Sequence, residues 1–301
     1  MRRGVIDIGT NSVKLLVAEC QAGEVQPVTE SSRQTRLGQG LYETGQLQPQ
    51  PIQATVAAVH QFLRLAKAEG ASETVIIATS AMREAGNAVE LLGALGQTVT
   101  ILSGEEEARL AYSGVLSNPR LAELNLVVVD AGGGSTELTK GGAAGVEQHT
   151  SIPLGSVRLM ERHPVDDPPT SAKREAVKVA VDEQLRQTIF RDGWGGQSDY
   201  ELVGTGGIAT IFAMMELGIE EFDRNRIEET ELTRQRATDW CDELWSLPLA
   251  RRREITGLPT NRADVALFGS LIYERIMVQL GFDRLRVSTR GIRFGAAQSK
   301  P

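Results

Sequence analysis

The sequence repeats one short pattern, first as Val5-Ile6-Asp7-Ile8-Gly9-Thr10-Asn11-Ser12 and again, 123 residues later, as Val128-Val129-Asp130-Ala131-Gly132-Gly133-Gly134-Ser135. In both copies an apolar run ends in an aspartate, and a glycine and then a serine follow at the same spacing. An apolar strand, a glycine turn and a second apolar strand are typical of a β-hairpin. The repeat therefore predicts a duplicated chain, in which two related α/β domains each begin with such a hairpin.

The rest of the chain alternates between helical and strand patterns. Apolar residues at helical spacing predict helices over 51–69, 105–115, 171–190, 208–217, 230–254 and 263–280, with a further helix starting near 291. Short apolar runs predict strands over 74–79, 99–102, 124–130, 200–204 and 284–288. We therefore expect an α/β fold with two domains, 1–122 and 123–301, that flank a cleft.

The net charge of the chain limits the kinds of molecule that it can bind. The 301 residues include 32 Lys plus Arg and 39 Asp plus Glu, which gives a net charge of −7. Such a chain lacks the excess of Lys and Arg that binding to duplex nucleic acid requires. Any polyanionic ligand must therefore be held by a local cluster of positively charged residues. No apolar run approaches the roughly 18 residues of a membrane span, and Asp7 interrupts the N-terminus before the core of a signal peptide can form. We expect a cytoplasmic protein without a membrane or duplex nucleic-acid partner.

Three glycine loops follow predicted strands, at 7–12, 130–136 and 204–207. Glycine lets backbone N–H groups approach phosphate oxygens, and successive N–H groups form an anion-binding concavity. None of the loops fits the P-loop or the dinucleotide fingerprint, and one glycine turn alone is usually only a turn. Two matched copies and a third loop nevertheless predict phosphate binding, by Gly9, Thr10, Asn11, Ser12, Gly132, Gly133, Gly134, Ser135, Thr136, Gly206 and Gly207.

Asp7 and Asp130 each end a predicted strand. An aspartate at such a place often caps the backbone of its own loop, which is the simpler interpretation. A carboxylate does not approach phosphate directly, however, so a matched pair beside a phosphate site favours a hydrated Mg²⁺ between the two. Glu137 follows the second loop and adds a third carboxylate. We predict a Mg²⁺ or Mn²⁺ site at Asp7, Asp130 and Glu137.

The segment Ser103-Gly104-Glu105-Glu106-Glu107-Ala108-Arg109-Leu110-Ala111 contains a candidate general base. Ser103 and Glu106 form a capping box, which gives Glu106 a structural role. Glu107 instead shares a helix face with the apolar Leu110 and Ala111, so it points inward or into a cleft. A carboxylate there is suited to orient a water molecule for attack on phosphorus. The alternative is that Glu107 belongs to a solvated run of glutamates.

Positive charge near the loops is the other requirement for a polyanion site. Arg83 follows the predicted strand 74–79 and is a candidate substrate contact, and Arg262, Arg290 and Arg293 flank the later loops. A surface ion pair is the simpler role for any one of them, but phosphate groups need a local positive lining.

Together these motifs resemble the exopolyphosphatase and guanosine-pentaphosphate phosphohydrolase (Ppx/GppA) family, and they occur in its order from residue 4 to about 296. The resemblance rests on Val5-Ile6-Asp7-Ile8-Gly9-Thr10-Asn11-Ser12, Ala78-Thr79-Ser80-Ala81-Met82-Arg83, Ser103-Gly104-Glu105-Glu106-Glu107-Ala108-Arg109, Asp130-Ala131-Gly132-Gly133-Gly134-Ser135-Thr136-Glu137 and Gly204-Thr205-Gly206-Gly207. It implies the actin-like, sugar-kinase-like fold of two ribonuclease-H-like domains. By the matching motifs, the family's catalytic glutamate falls on Glu107, its acidic pair on Asp130 and Glu137, and its arginine on Arg83.

The resemblance also implies a function, Mg²⁺-dependent hydrolysis of terminal phosphate from inorganic polyphosphate. Guanosine pentaphosphate is the alternative substrate, and a nucleotide-binding actin-like switch or a non-catalytic phosphate sensor are more distant alternatives. The chain departs from the family pattern at Ile208, where threonine is frequent, and at Phe294, where glutamate is usual. Longer members carry an extra helical domain, so we expect a shorter substrate channel here or one completed by a second subunit in a homodimer.

Overall fold

The structure is a computed structural model that describes residues 1–21, 24–195 and 199–299. The chain divides into two compact units. Unit 1 comprises Met1–Ala122 together with Arg290–Pro301, and unit 2 comprises Glu123–Thr289. The second domain therefore ends at Thr289, and the expectation that it extends to residue 301 is wrong.

Strands and helices alternate along most of the described chain. The strands are β1 (Arg2–Ile8), β2 (Ser12–Gln21), β3 (Glu24–Gln34), β4 (Glu73–Ala78), β5 (Thr100–Ile101), β6 (Leu126–Ala131), β7 (Thr136–Gly142), β8 (Gly145–Ile152), β9 (Glu201–Thr205), β10 (Glu231–Thr233) and β11 (Arg284–Val287). The helices are α1 (Leu41–Thr44), α2 (Pro49–Ala68), α3 (Ser80–Glu84), α4 (Ala88–Leu95), α5 (Gly104–Leu116), α6 (Ser156–Arg162), α7 (Ser171–Arg191), α8 (Gly206–Leu217), α9 (Arg224–Glu228), α10 (Arg234–Ser246), α11 (Leu249–Arg252), α12 (Ala266–Leu280) and α13 (Ile292–Gln298).

Unit 1 is built on a five-stranded sheet in the order β3-β2-β1-β4-β5. The first three strands are antiparallel, and β4 and β5 run parallel to β1. Successive residues of a strand point to opposite faces, so a central strand with helices on both faces is apolar throughout. In β1, Ile6 packs with Phe62 of α2 on one face, and Val5 packs with Phe294 of α13 on the other.

Unit 2 repeats this arrangement with one added strand. Its sheet has the order β10-β11-β9-β6-β7-β8, in which β6, β7 and β8 are antiparallel and β9 and β11 run parallel to β6. Read from β8, the strands follow the connectivity of unit 1, and β10 is the addition. Two sheets of this order confirm the predicted α/β class with two ribonuclease-H-like domains of the actin-like type.

The parallel strands of each unit end at one sheet edge. In unit 1, Ile8 of β1 pairs with Ala78 of β4, and Ala78 pairs with Ile101 of β5. In unit 2, Asp130 of β6 pairs with Thr205 of β9. Loops that leave the carboxyl ends of parallel strands form the usual ligand site of α/β folds. The glycine loops, α3 and α5 all start from such an edge.

Helix α13 belongs to unit 1 because its backbone fits against that of α5. A Cβ atom on Gly114 would overlap with the backbone of Gly291, and a Cβ atom on Gly295 would overlap with the backbone of Leu110. Small residues are required where two helix backbones approach so closely. Nothing in the local pattern around residue 290 shows this long-range contact, which is why the sequence assigned α13 to the second domain.

We expect Gly114→Ala to destabilise unit 1, since the added methyl group meets backbone atoms that cannot rotate away. Overpacking of this kind costs about 1–3 kcal/mol in the free energy of unfolding. Chemical denaturation measures the effect, with Gly93→Ala as the control, because a Cβ atom on helical Gly93 would meet nothing within 4 Å. Equal stability of the two variants would contradict the close contact of α5 and α13.

The prediction of one continuous helix over 230–254 is wrong. Residues 231–233 form β10, and the helical part is divided into α10 and α11. The Thr233 side chain accepts a hydrogen bond from the backbone N–H of Arg236 and so begins α10. Pro248 disfavours a helical conformation at Leu247, which is extended, and this separates α11 from α10.

Candidate active site

The two predicted hairpins have the same turn geometry. The Gly9 N–H donates to the Ser12 carbonyl at 3.1 Å, and the Gly132 N–H donates to the Ser135 carbonyl at 2.8 Å. In each turn a Cβ atom on the glycine would lie 3.1 Å from that serine oxygen. The duplicated sequence pattern thus corresponds to a duplicated backbone structure.

A later segment of unit 1 binds the carbonyl groups of the first loop. The Asn11 carbonyl accepts hydrogen bonds from the N–H groups of Thr35 and Arg36, at 3.1 and 3.0 Å. The Thr10 carbonyl accepts one from Gly38, at 2.7 Å. These contacts turn the carbonyl groups of the loop toward residues 35–38.

The second loop is held in the same way by the start of α6. The Gly133 carbonyl accepts hydrogen bonds from the N–H groups of Val157 and Arg158, at 2.9 and 3.0 Å. The Gly132 carbonyl accepts one from Ser156, at 3.1 Å.

This arrangement leaves loop N–H groups available for an anion. Within the described chain, the N–H groups of Thr10 and Asn11 in unit 1, and of Gly133 and Gly134 in unit 2, donate to no backbone carbonyl. Successive N–H groups that are not bonded within the protein attract phosphate oxygens. Each unit therefore presents one candidate phosphate-binding loop.

The carboxylate of Asp7 is buried beside the first loop. Burial raises its pKa above the usual range, while the positive charges of Lys14 and Arg293 act in the opposite direction. Lys14 is its partner across the β1–β2 pair. Among the described residues, Asp7 Oδ1 has no hydrogen-bond partner. A buried carboxylate oxygen without a donor fits a bound cation.

Asp130 and Glu137 lie directly opposite each other in the β6–β7 pair. Like charges at such positions repel and destabilise a sheet unless something lies between them. The Ser151 hydroxyl donates to Glu137 Oε1 at 2.8 Å and orients that carboxylate. In unit 1 the position opposite Asp7 carries Lys14, so only the second hairpin pairs two carboxylates.

The donor chemistry of these residues fits Mg²⁺ or Mn²⁺, which prefer oxygen ligands. Among residues 1–21, 24–195 and 199–299, no group of three or more His, Cys, Asp or Glu side chains is arranged to hold a metal ion. Protein carboxylates alone therefore do not complete a coordination shell. Mg²⁺ usually keeps several water molecules and binds one or two carboxylates plus substrate phosphates, so the paired carboxylates meet its ordinary requirement.

The third glycine loop contacts the second hairpin and a buried arginine. Gly206 has a φ of +84° at the start of α8, and a Cβ atom there would overlap with Asp130 Oδ1. The Arg262 guanidinium packs against Gly207, and burial lowers its pKa below the usual range. The sequence predicts only that Arg262 flanks the late loops, because no local pattern indicates its contact with Gly207.

Glu107 and Arg83 form an ion pair in unit 1. The side chain of Glu107 is 7% exposed and that of Arg83 is 28% exposed. Arg83 also donates to the Leu102 carbonyl at 2.6 Å, which fixes its guanidinium at the end of β5. The capping box of Ser103 and Glu106 is present, as predicted. Glu107 is thus buried and oriented, and the alternative of a solvated glutamate is wrong.

The predicted site residues fall into two sets. Unit 1 contains the turn at 9–12, and the ends of β1, β4 and β5 bring it to one sheet edge with Asp7, Arg83 and Glu107. Unit 2 contains the turn at 132–136 with Asp130 and Glu137, and the β6–β9 pairing brings Gly206 and Gly207 beside them. Each set combines a candidate phosphate-binding loop with carboxylates.

We expect Asp7→Asn to stabilise the metal-free protein at neutral pH. Burial disfavours the charged carboxylate, as the direction of its pKa shift indicates, and a neutral side chain of equal size removes this penalty. The expected gain in the free energy of unfolding is about 1–2 kcal/mol. Added Mg²⁺ should raise the melting temperature of the original protein but not of the variant.

Asp283→Asn is the control for this experiment, because its side chain is 80% exposed and lies outside the loops. Loss of stability in Asp7→Asn, together with an unchanged response to Mg²⁺, would show that Asp7 is a structural residue and no cation ligand.

One known family and several known sequences and solved structures are similar to this chain. Residues 16–300 match the Ppx/GppA phosphatase family. The chain is 31% identical to "Exopolyphosphatase 2" of Mycobacterium tuberculosis, over 99% of this chain and 98% of that protein. It is 25% identical to "Exopolyphosphatase 1" of Mycobacterium leprae, over 98% of this chain and 88% of that protein. The solved structure of the Aquifex aeolicus PPX-GPPA enzyme is similar with a TM-score of 0.81 and 30% identity, over 100% and 99% of the two chains.

No helix in the described residues is both long enough and apolar enough to span a membrane.

Proposed function

The chain belongs to the Ppx/GppA phosphatase family, and we propose that it is a phosphoanhydride hydrolase that removes terminal phosphate from inorganic polyphosphate. One observation carries the proposal. Two duplicated glycine loops, one in each unit, have their carbonyls bound by a later segment and leave N–H groups available for phosphate. Each loop is suited to bind a phosphate group, the repeating group of polyphosphate.

The proposed reaction is hydrolysis of the terminal phosphoanhydride bond. Water attacks the terminal phosphorus, the bond to the bridging oxygen breaks, and orthophosphate and a chain shorter by one phosphate are released. Glu107 orients the water and accepts its proton, while the bridging oxygen leaves with the shortened chain. Arg83 holds Glu107 in place through the ion pair and adds positive charge beside the phosphates.

In unit 2, Asp130 and Glu137 would hold a Mg²⁺ or Mn²⁺ ion, which when bound neutralises negative charge on the phosphate oxygens. In unit 1, Asp7 is the candidate cation ligand. The unpartnered Oδ1 of Asp7 and the opposed carboxylates of Asp130 and Glu137 support this assignment. The loops provide the remaining stabilisation through fixed N–H dipoles, which need no rearrangement during the reaction.

Guanosine pentaphosphate is the second candidate substrate, because the loop N–H groups recognise phosphate whatever group the phosphate chain carries. The test measures orthophosphate release from long-chain polyphosphate and from guanosine pentaphosphate with Mg²⁺ present. We expect kcat/KM to be higher for polyphosphate. A higher value for guanosine pentaphosphate would overturn the substrate assignment, and binding of both without release would show a phosphate sensor.

We also propose that the protein acts in the cytoplasm and forms a homodimer. Its two cysteines, Cys20 and Cys241, are free, as is usual in a reducing compartment. Cell fractionation and light scattering on the purified protein test these two points.

A further inference from the structure

Arg158 makes two contacts with the second glycine loop. Its backbone N–H binds the Gly133 carbonyl, and its side-chain Nε donates to the next carbonyl, that of Gly134, at 2.6 Å. The residue is 4% exposed. One arginine therefore holds two consecutive carbonyls of the loop whose N–H groups are available for phosphate.

Burial of a guanidinium group is unfavourable unless its N–H donors are hydrogen-bonded. Here the Nε donor is bonded to the loop itself. This bond turns the Gly134 carbonyl toward Arg158, and it places a positive charge directly behind a loop that we propose to bind an anion. Both effects favour phosphate on the opposite side of the loop.

The first loop has a matching arginine. The N–H of Arg36 binds the Asn11 carbonyl, as that of Arg158 binds Gly133. The sequence is Arg36-Leu37 in unit 1 and Arg158-Leu159 in unit 2, an interval of 122 residues that nearly equals the interval between the hairpins. Both leucines are buried. The duplication therefore extends beyond the hairpins to these two Arg-Leu pairs.

Backbone strain at Arg36 gives an independent reason to assign it a function. Arg36 has a φ of +52°, and within the described residues it is the one position other than glycine with a positive φ. Residues with a side chain avoid this conformation, and those that adopt it cluster at functional sites. The strained conformation of Arg36, where glycine would be free of strain, is therefore a reason to test its side chain for a function.

We propose that Arg158 is a positioning residue that holds the second glycine loop in its phosphate-binding conformation, and that Arg36 is its duplicated counterpart at the first loop. The proposal rests on the proposed function insofar as the loops bind phosphate groups. It assigns the arginines no contact with the reacting atoms.

The test measures the Kd of inorganic tripolyphosphate by calorimetry. We expect Arg158→Gln to raise this Kd by about 10- to 100-fold, because loss of the Nε bond lets the loop rotate away from the productive geometry. Arg158→Lys should recover part of the affinity, since lysine retains the charge without the planar guanidinium. The control is Arg275→Gln, which removes a 12% exposed arginine of unit 2 that pairs with Asp182 and Glu274.

A second readout separates positioning from general destabilisation. With ¹⁵N-glycine labelling, the Gly133 and Gly134 amide signals should shift on addition of tripolyphosphate in the original protein and in Arg275→Gln, but much less in Arg158→Gln. Equal shifts and equal Kd values in all three proteins would overturn the role of Arg158. Thermal melts confirm that each variant is folded. If Arg158→Gln does not fold, the same measurements are made on Arg158→Lys.

Arg36→Gly tests the counterpart. Glycine adopts a positive φ without strain, so the melting temperature should be equal to or higher than that of the original protein. If the side chain of Arg36 has the role that we propose, the Kd of tripolyphosphate should nevertheless rise by about 10-fold or more, since glycine retains the backbone N–H bond to Asn11 and removes only the side chain. Unchanged affinity would show that the Arg36 side chain has no part in phosphate binding.

These measurements are independent of turnover. If the original protein binds tripolyphosphate but releases no phosphate from polyphosphate, the proposed function fails and the two arginines are still tested by the Kd values. If it hydrolyses polyphosphate and the arginine variants bind normally, only the positioning proposal fails.

Discussion

Glu107→Gln should lower kcat for phosphate release from polyphosphate by about 10²–10⁴-fold, the usual effect of removing a positioned general base. The glutamine amide has the size of the carboxylate, and its oxygen can still accept a hydrogen bond from Arg83, so the local structure should be preserved. It cannot take a proton from water. KM should therefore change little, and steady-state kinetics on polyphosphate with saturating Mg²⁺ measure both constants.

The same helix offers a matched control. Glu105 lies two residues away, its side chain is 51% exposed, and it pairs with Arg109 one turn later on α5. Glu105→Gln should retain nearly full activity. If Glu107→Gln and Glu105→Gln have the same kcat as the original protein, the base is another group and the proposed role of Glu107 is wrong.

Gly155→Ala should lower kcat/KM by about 100-fold or more, because it displaces the second glycine loop. A Cβ atom on Gly155 would overlap with the backbone of both Gly133 and Gly134. These are main-chain atoms, so no side chain can rotate to make room, and the loop must move instead. Displacement of a binding group by about 1 Å can lower the rate by about 10²-fold.

Gly195→Ala is the control in the same unit, since a Cβ atom on Gly195 would meet nothing within 4 Å. Kinetics on polyphosphate and calorimetry with tripolyphosphate should both show a defect in Gly155→Ala alone. Normal binding in a folded Gly155→Ala protein would mean that the loop does not hold substrate in the conformation described above.

Much of the fold could be predicted because the decisive signals are local. The hairpins at Asp7 and Asp130 follow from apolar strands and glycine turns, and their repetition predicts two related domains. Glu107 could be assigned to a buried face because helix periodicity relates it to its neighbours on α5. In these cases the residues that decide the structure lie within a few positions of one another.

The features that the sequence did not reveal depend on contacts between distant segments. Strand β3 is polar and contains Pro27, yet it forms because an edge strand needs only one partner and tolerates proline at an irregularity. The contact of α13 with α5 and that of Arg158 with Gly134 join segments that are far apart or of unremarkable local pattern. A comparison of the two halves beyond the hairpins would have found the repeated Arg-Leu pair.

The discontinuity of unit 1 has a consequence for biosynthesis. A ribosome completes residues 123–289 before it adds the segment from Arg290 onward that returns to unit 1. Unit 2 can therefore fold on the emerging chain while α5, which bears Glu107, still waits for the helix that packs against it. Nascent chains that stop before Arg290 would be expected to hold a finished unit 2 and an incomplete unit 1, so that the proposed activity should require synthesis of the segment from Arg290 onward.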